Sequence, residues 1–181
     1  MRKLKKGISF LCLVSLLFVF LCPTSVLAAT VTNYEAQQDV DKLLEYSVVN
    51  LDRTIDFDEE RAIANGESKE IIEMGLQLEQ VAAEYYNASQ GIATAGVPVW
   101  GNWCGPGYSN GDGDQSVEDR LDAACKAHDL CYADNGYFDC DCDQELIDTI
   151  DRIMYLLSGA ELNMAKVIKA YFIQQMTVSG C

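Results

Sequence analysis

Histidine is nearly absent: the 181 residues contain one, His128. Cysteine pairs spaced as CxxC are missing too. Zinc takes four ligands, commonly from such pairs and from several histidines, so the composition argues against a zinc centre. Basic residues are also few, 13 against 28 acidic ones, and four of them (Arg2, Lys3, Lys5 and Lys6) fall within the first six residues. Beyond residue 28 the chain keeps 9 basic and all 28 acidic residues, a net charge of −19. Nucleic acid is therefore excluded as a natural partner. An acidic surface keeps a protein in solution, attracts divalent cations and repels anionic membranes. Segments of alternating polarity are lacking as well, which argues against a strand-built fold.

A basic start is followed by an apolar stretch over residues 8–21, then Cys22-Pro23 and the small-residue end Val26-Leu27-Ala28. This is the order of a secretory signal peptide, residues 1–28, with cleavage expected after Ala28 rather than Ala29. The apolar run is short for a bilayer span of about 20 residues, and Pro23 interrupts its end. Cys12 and Cys22 leave with it, so six of the eight cysteines remain: Cys104, Cys125, Cys131, Cys140, Cys142 and Cys181. An even number in an exported chain points to disulfides and a secreted protein.

Cysteine usage divides the remainder into an acidic helical N-terminal region, residues 29–100, and a cysteine-bearing region, residues 101–181. The first reads either as a propeptide or as the first helices of the domain. Val40, Leu43, Leu44, Val48 and Leu51 recur at helical spacing, as do residues 71–82 less strictly. Residues 56–68 read as a charged linker with an Asn65-Gly66 turn. Residues 91–113 form a glycine-dense loop. Ser116-Val117-Glu118-Asp119 resembles a helix start of the capping type, and Asn135-Gly136 ends that helix. A second helix is expected from Asp139 or Asp141 to about Leu157, and a third over residues 160–176. The fold class is mainly α and disulfide-stapled.

In the first cysteine-bearing helix, Leu121, Cys125, His128 and Tyr132 share one face, while Asp129 lies about 100° around from His128. A lone histidine on an apolar face is ordinarily a core residue. Here a glycine loop holding Cys104 lies just upstream, and His128 and Asp129 can address different partners. Calcium takes hard oxygen ligands, including backbone carbonyls from a flexible loop completed by a carboxylate. Trp103-Cys104-Gly105-Pro106-Gly107 offers such a loop. Asn110-Gly111-Asp112-Gly113-Asp114 fails as an EF-hand, because Gln115 and Leu121 stand where glycine and glutamate are needed.

Cys125 and Cys131 are about 9 Å apart on one helix, beyond the roughly 7 Å a bridge tolerates. Six cysteines allow about 15 pairings; the simplest joins Cys104 to Cys125, Cys131 to Cys142, and Cys140 to Cys181. That arrangement would lay two helices antiparallel and bring Asp143 near His128, where a carboxylate fixes the imidazole tautomer.

Three motifs in order resemble the secreted calcium-dependent phospholipase A2 family. Trp103-Cys104-Gly105-Pro106-Gly107 is similar to its calcium loop. Residues 122–132, with Cys125-Lys126-Ala127-His128-Asp129, are similar to its active-site helix, and Cys140-Asp141-Cys142-Asp143 to the start of its second long helix. The resemblance covers about residues 101–157. It implies a phospholipase A2-like core with two antiparallel active-site helices and a calcium-binding loop. It further implies that His128 is the general base, Asp143 its orienting carboxylate, and Tyr132 a hydrogen-bond partner of that carboxylate. Asp129 with the carbonyls of Trp103, Gly105 and Gly107 would bind Ca2+, the Gly105 amide would face the oxyanion, and Asp122 would be structural. The implied reaction is hydrolysis of the sn-2 ester of glycerophospholipids at a membrane surface or micelle, giving a fatty acid and a lysophospholipid. The rival is a non-catalytic phospholipase-like binding protein or toxin subunit, although such proteins often lose the histidine or the calcium aspartate. This sequence departs from the family in Ala124, paired in antiparallel register with Thr149, where a disulfide is common. It also lacks a cysteine-rich β-hairpin and carries an N-terminal region with no counterpart.

Overall fold

The computed structural model describes residues 24–91, 99–107 and 115–181, with side chains from residue 33 onward. Most of the expected signal peptide, and the Asn110 to Asp114 segment weighed as an EF-hand, lie outside the described residues.

Helix α1 (Thr24–Glu45) buries Ala36, Val40 and Leu43, one stripe at helical spacing. The stripe does not continue through Val48 and Leu51 as the spacing suggests: these are 65% and 96% exposed. Instead β1 (Ser47–Val49) pairs antiparallel with β2 (Ile55–Phe57), Val48 opposite Asp56. The cause is local. Ser47-Val48-Val49 favours extended backbone, and the Asp52 carboxylate accepts from both the Thr54 amide and its hydroxyl, closing the loop. The hairpin also lets the Phe57 ring press on the long helix over Lys69–Ser89. A Cβ on Gly75 would meet that ring at 2.2 Å, so only glycine leaves the notch it fills.

Residues 56–68, expected as a linker, contain the end of β2 and a short helix α2 (Glu59–Ala64), which ends at the Asn65-Gly66 turn as read. Helix α3 (Lys69–Ser89) starts at Ser68, whose hydroxyl accepts from the Ile71 amide, and buries Ile71, Met74, Leu78 and Val81. Helix α4 (Arg120–Asn135) is capped by Asp119, which accepts from the Asp122 amide, and not by Ser116; Gly136 ends it. Helix α5 (Cys140–Ile153) is capped by Asp139, and a 3-10 turn (Met154–Leu156) carries the chain to α6 (Gly159–Ser179).

Bridges join Cys104 to Cys125, Cys131 to Cys142, and Cys140 to Cys181, so α4 and α5 lie antiparallel. Each closes a loop of 11 to 41 residues, a constraint on the unfolded chain worth roughly 3 kcal/mol apiece. One apolar core runs across residue 100. Val40, Leu43, Met74 and Leu78 belong to the same cluster as Leu121, Ile150, Tyr171 and Phe172. The helices before residue 92 therefore share one core with those after residue 119.

Helix α6 is central and buried nearly all round, including two lysines. Lys166 Nζ meets Asp39 of α1 at 2.8 Å, and Lys169 Nζ meets Asp151 of α5 and Gln37 of α1. Replacing Asp39 by alanine should strand the Lys166 charge. We expect a loss of about 2 kcal/mol, below that of a fully buried pair because Asp39 is 30% exposed. Adding Lys166→Met should recover most of it. Urea denaturation of the single and double variants is the measurement, and an Asp39→Ala protein as stable as the parent would contradict the pairing.

Candidate active site

The glycine loop is fastened to the start of α4 by one carboxylate. Asp122 is fully buried, and its Oδ1 accepts from the amides of Asn102 (2.9 Å) and Trp103 (2.7 Å) while Oδ2 accepts from that of Glu118 (2.9 Å). Gly101 lies against it with φ 54°, and a Cβ there would come within 2.5 Å of the Asp122 carboxyl carbon. A short two-way bridge between Trp100 and Cys104 tightens the turn. The Cys104–Cys125 disulfide and the indole of Trp103, buried with its Nε1 donating to Gln115 O, complete the attachment.

One turn further along α4, His128 and Tyr132 point toward α5. His128 Nε2 lies 2.9 Å from Asp143 Oδ1, and the Tyr132 hydroxyl donates to the same oxygen. Asp143 is completely buried, and its Oδ2 has no hydrogen-bond partner among the described residues. An ionised carboxylate only accepts, so the proton of a neutral His128 sits on Nε2 and Nδ1 is left as the acceptor. Phe172 and Tyr132 hold the imidazole, with ring centroids at 4.7 and 4.1 Å. The Tyr132 hydroxyl is pushed strongly upward in pKa, by burial first and then by its bond to Asp143; it stays a donor across the working range.

These groups meet at one cavity of about 210 Å3, bordered by Gly105, Gly107, His128, Asp129 and Tyr132. Trp103 lies behind it, against a small void shared with Gly105 and Asp129. Asp143 stands behind His128. All seven residues singled out from the sequence are thus gathered around the cavity or directly behind it. Among the described residues no group of three or more His, Cys, Asp or Glu side chains is gathered as a metal cluster. Asp129 is the one carboxylate bordering the cavity; with carbonyls of the adjoining glycine turn it would make an oxygen set of the kind calcium takes.

The sequence reading missed Tyr85. It borders the cavity from the end of α3, its ring stacked 4.7 Å from Tyr171. The signal was available, since Tyr85 follows Leu78 and Val81 at helical spacing and packs, half-buried, against the same core. Burial, then the carboxylates of Asp129 and Asp143, push its hydroxyl up in pKa. Also missed is a second, more apolar groove of about 390 Å3, which shares Tyr85, Pro106, Gly107 and Tyr137 with the first and adds Phe138.

No protein-family model matches the chain, and no curated protein or solved structure matches it.

Tyr85, Tyr132 and Tyr171 all have hydroxyls pushed upward chiefly by burial. An unfolded tyrosine ionises at about pH 10. Below that pH these shifts leave stability unchanged. Above it the unfolded chain sheds protons that the folded chain keeps, and stability falls as pH rises. A tyrosinate absorbance titration of the folded protein should therefore stop short of the full nine tyrosines. Ionisation of all nine together, without unfolding, would contradict the packing described.

Proposed function

We propose that the chain is a secreted, calcium-dependent phospholipase A2 that hydrolyses the sn-2 ester of glycerophospholipids. The observation that carries this reading is the Tyr132–Asp143–His128 network opening on a cavity that Asp129 and the Gly105–Gly107 turn also border. Three disulfides suit an oxidising compartment. Among the described residues no helix is long and apolar enough to cross a membrane.

In this reading His128 Nδ1 takes a proton from water, and the water oxygen attacks the sn-2 carbonyl. Asp143 holds the reactive tautomer and offsets the positive charge that the imidazole gains. Tyr132, by donating to Asp143, holds that carboxylate in place. The Gly105 amide donates to the oxyanion, and Gly105 lies beside His128 at the cavity. His128 then returns its proton to the departing glyceryl oxygen, so that one water becomes the hydrogen of the lysophospholipid and the hydroxyl of the fatty acid. Calcium, held by Asp129 and the carbonyls of Trp103, Gly105 and Gly107, would polarise the ester carbonyl and bind the phosphate.

Hydrolysis of phosphatidylcholine should be abolished by EGTA and restored by added calcium. Asp129→Ala should remove calcium binding, seen by calorimetry, along with activity. His128→Gln should lower turnover by at least about 100-fold while calcium still binds, and Asp143→Asn should slow turnover with calcium affinity nearly unchanged. Undiminished activity in excess EGTA, or in His128→Gln, would sink the reading. Calcium and lipid binding without turnover would favour the non-catalytic rival.

Surface charge sets a further expectation. Residues 29–100 carry 4 basic and 14 acidic residues, and residues 101–181 carry 5 and 14. Of these five, Lys126, Arg152, Lys166 and Lys169 could have joined Arg120 in a basic face on the second part. Lys166 and Lys169 are instead buried in ion pairs, Arg152 pairs with Glu145, and Lys126 lies over the Trp103 ring. At matched free calcium and low salt, zwitterionic vesicles should be hydrolysed faster than anionic ones, and added salt should narrow the gap. Faster hydrolysis of anionic vesicles, declining with salt, would show the expectation wrong.

A further inference from the structure

Among the described residues, only two non-glycine residues have left-handed backbone, Arg53 (φ 73°) and Phe138 (φ 63°). They touch each other across the fold: the guanidinium carbon of Arg53 stands 3.8 Å from the centroid of the Phe138 ring. Glycine would adopt either conformation without strain. Strain kept at both ends of one contact calls for a role for that contact.

Arg53 comes from the β1–β2 loop and is seated on the end of α6. Its Nη1 and Nη2 donate to Ser179 Oγ, each at 3.1 Å, and Nη1 also to Gln175 Oε1 at 3.4 Å. Gln175 Nε2 returns a bond to the Arg53 carbonyl at 3.1 Å. A guanidinium fixed from below offers a flat cationic platform, and an aromatic ring rests on it. The ring that rests there is a wall of the 390 Å3 apolar groove, together with Tyr85 and Tyr137. That volume falls in the range of roughly 300–1,000 Å3 typical of small-molecule sites. The groove shares Pro106, Gly107 and Tyr137 with the cavity beside His128, so a chain leaving an ester there has a continuous apolar path.

We propose that Arg53 is a positioning residue that holds Phe138 as one wall of a groove receiving a single aliphatic chain. The assignment of that chain as the acyl chain of a phospholipid rests on the reading of the preceding subsection. Arg53 makes the N-terminal hairpin part of the chain-length selectivity of the site, without contact with the reacting atoms. Lysine cannot substitute, since it lacks the planar fork that both stacks on the ring and reaches Ser179 and Gln175.

The test uses Arg53→Gly in the full mature protein, because glycine relieves the backbone while deleting the guanidinium. Two single-chain probes without a carboxylic ester, dodecylphosphocholine and hexylphosphocholine, are titrated as monomers by calorimetry. The parent should prefer the dodecyl probe. Arg53→Gly should keep the parent's thermal midpoint or exceed it, yet bind the dodecyl probe about five-fold more weakly, with hexyl binding unchanged. Phe138→Ala should reproduce this loss, and Arg53→Lys should not restore it. On ester substrates the same variant should raise KM for long chains and leave kcat nearly unchanged. Equal dodecyl affinity in the parent and a folded Arg53→Gly would overturn the proposal, as would a parent that does not discriminate between the probes. Should Arg53→Gly lower the midpoint, Ser179→Ala combined with Gln175→Met decides instead: together they remove both side-chain acceptors of the guanidinium from outside the groove, and unaltered dodecyl binding there would also overturn the proposal. A parent that hydrolyses nothing but loses selective binding on Arg53→Gly would sink the phospholipase reading alone. A calcium-dependent hydrolase whose chain-length profile ignores Arg53→Gly would sink the groove proposal alone.

Discussion

The buried Asp122 carboxylate is the constraint on which the candidate site depends. A carboxylate at 0% exposure is tolerable only when its oxygens are met by donors. Three backbone amides meet it, two from the glycine loop and one from the approach to α4. The loop cannot leave α4 without stranding that charge in the interior. Gly101 is the complement of this arrangement, because nothing larger fits beside the carboxylate. The Cys104–Cys125 bridge fastens the far side of the same turn. With loop and helix fixed twice, Gly105 and Gly107 are held beside His128 and Asp129, and the order is set by folding rather than by a ligand.

Much of this was legible because it is local. His128, Tyr132 and Cys125 fall on one face of α4 through spacings of three, four and seven. The geometry of a disulfide rules out Cys125 with Cys131 and so turns each toward another element. The hairpin was less visible, since Val40, Leu43, Val48 and Leu51 fit a helical period as well as the start of a hairpin does. The turn chemistry at Asp52 and Thr54 and the packing of Phe57 on Gly75 decide against it. The cap of α4 was misplaced by three residues because Ser116 and Asp119 are both good caps. Asp119 wins because its other oxygen also accepts from the Trp100 indole. Arg53 and Phe138 could not have been paired from the sequence. Their contact spans 85 residues, and a non-glycine residue gives no sign that its φ is positive.

The acidic N-terminal region has a physical use apart from solubility. Helix α6 runs through the middle of the core and yet bears two lysines, whose burial would be costly without anions nearby. Asp39 reaches Lys166 from α1, and Asp151 reaches Lys169 from α5. Part of the negative charge thus neutralises cations inside the fold. The calculated excess of acid over base understates how few cations face the solvent.

Helix α6 also bears on how the chain is made. Among the described helices it comes last and is the most enclosed, touching α1, α3 and α5. A growing chain emerges from the ribosome with α1 and α3 first, and their apolar faces have no lasting partner until residues 159–179 follow. The shared core therefore closes only once α6 has been made. The Cys140–Cys181 bridge likewise waits for residue 181, the later of its two partners.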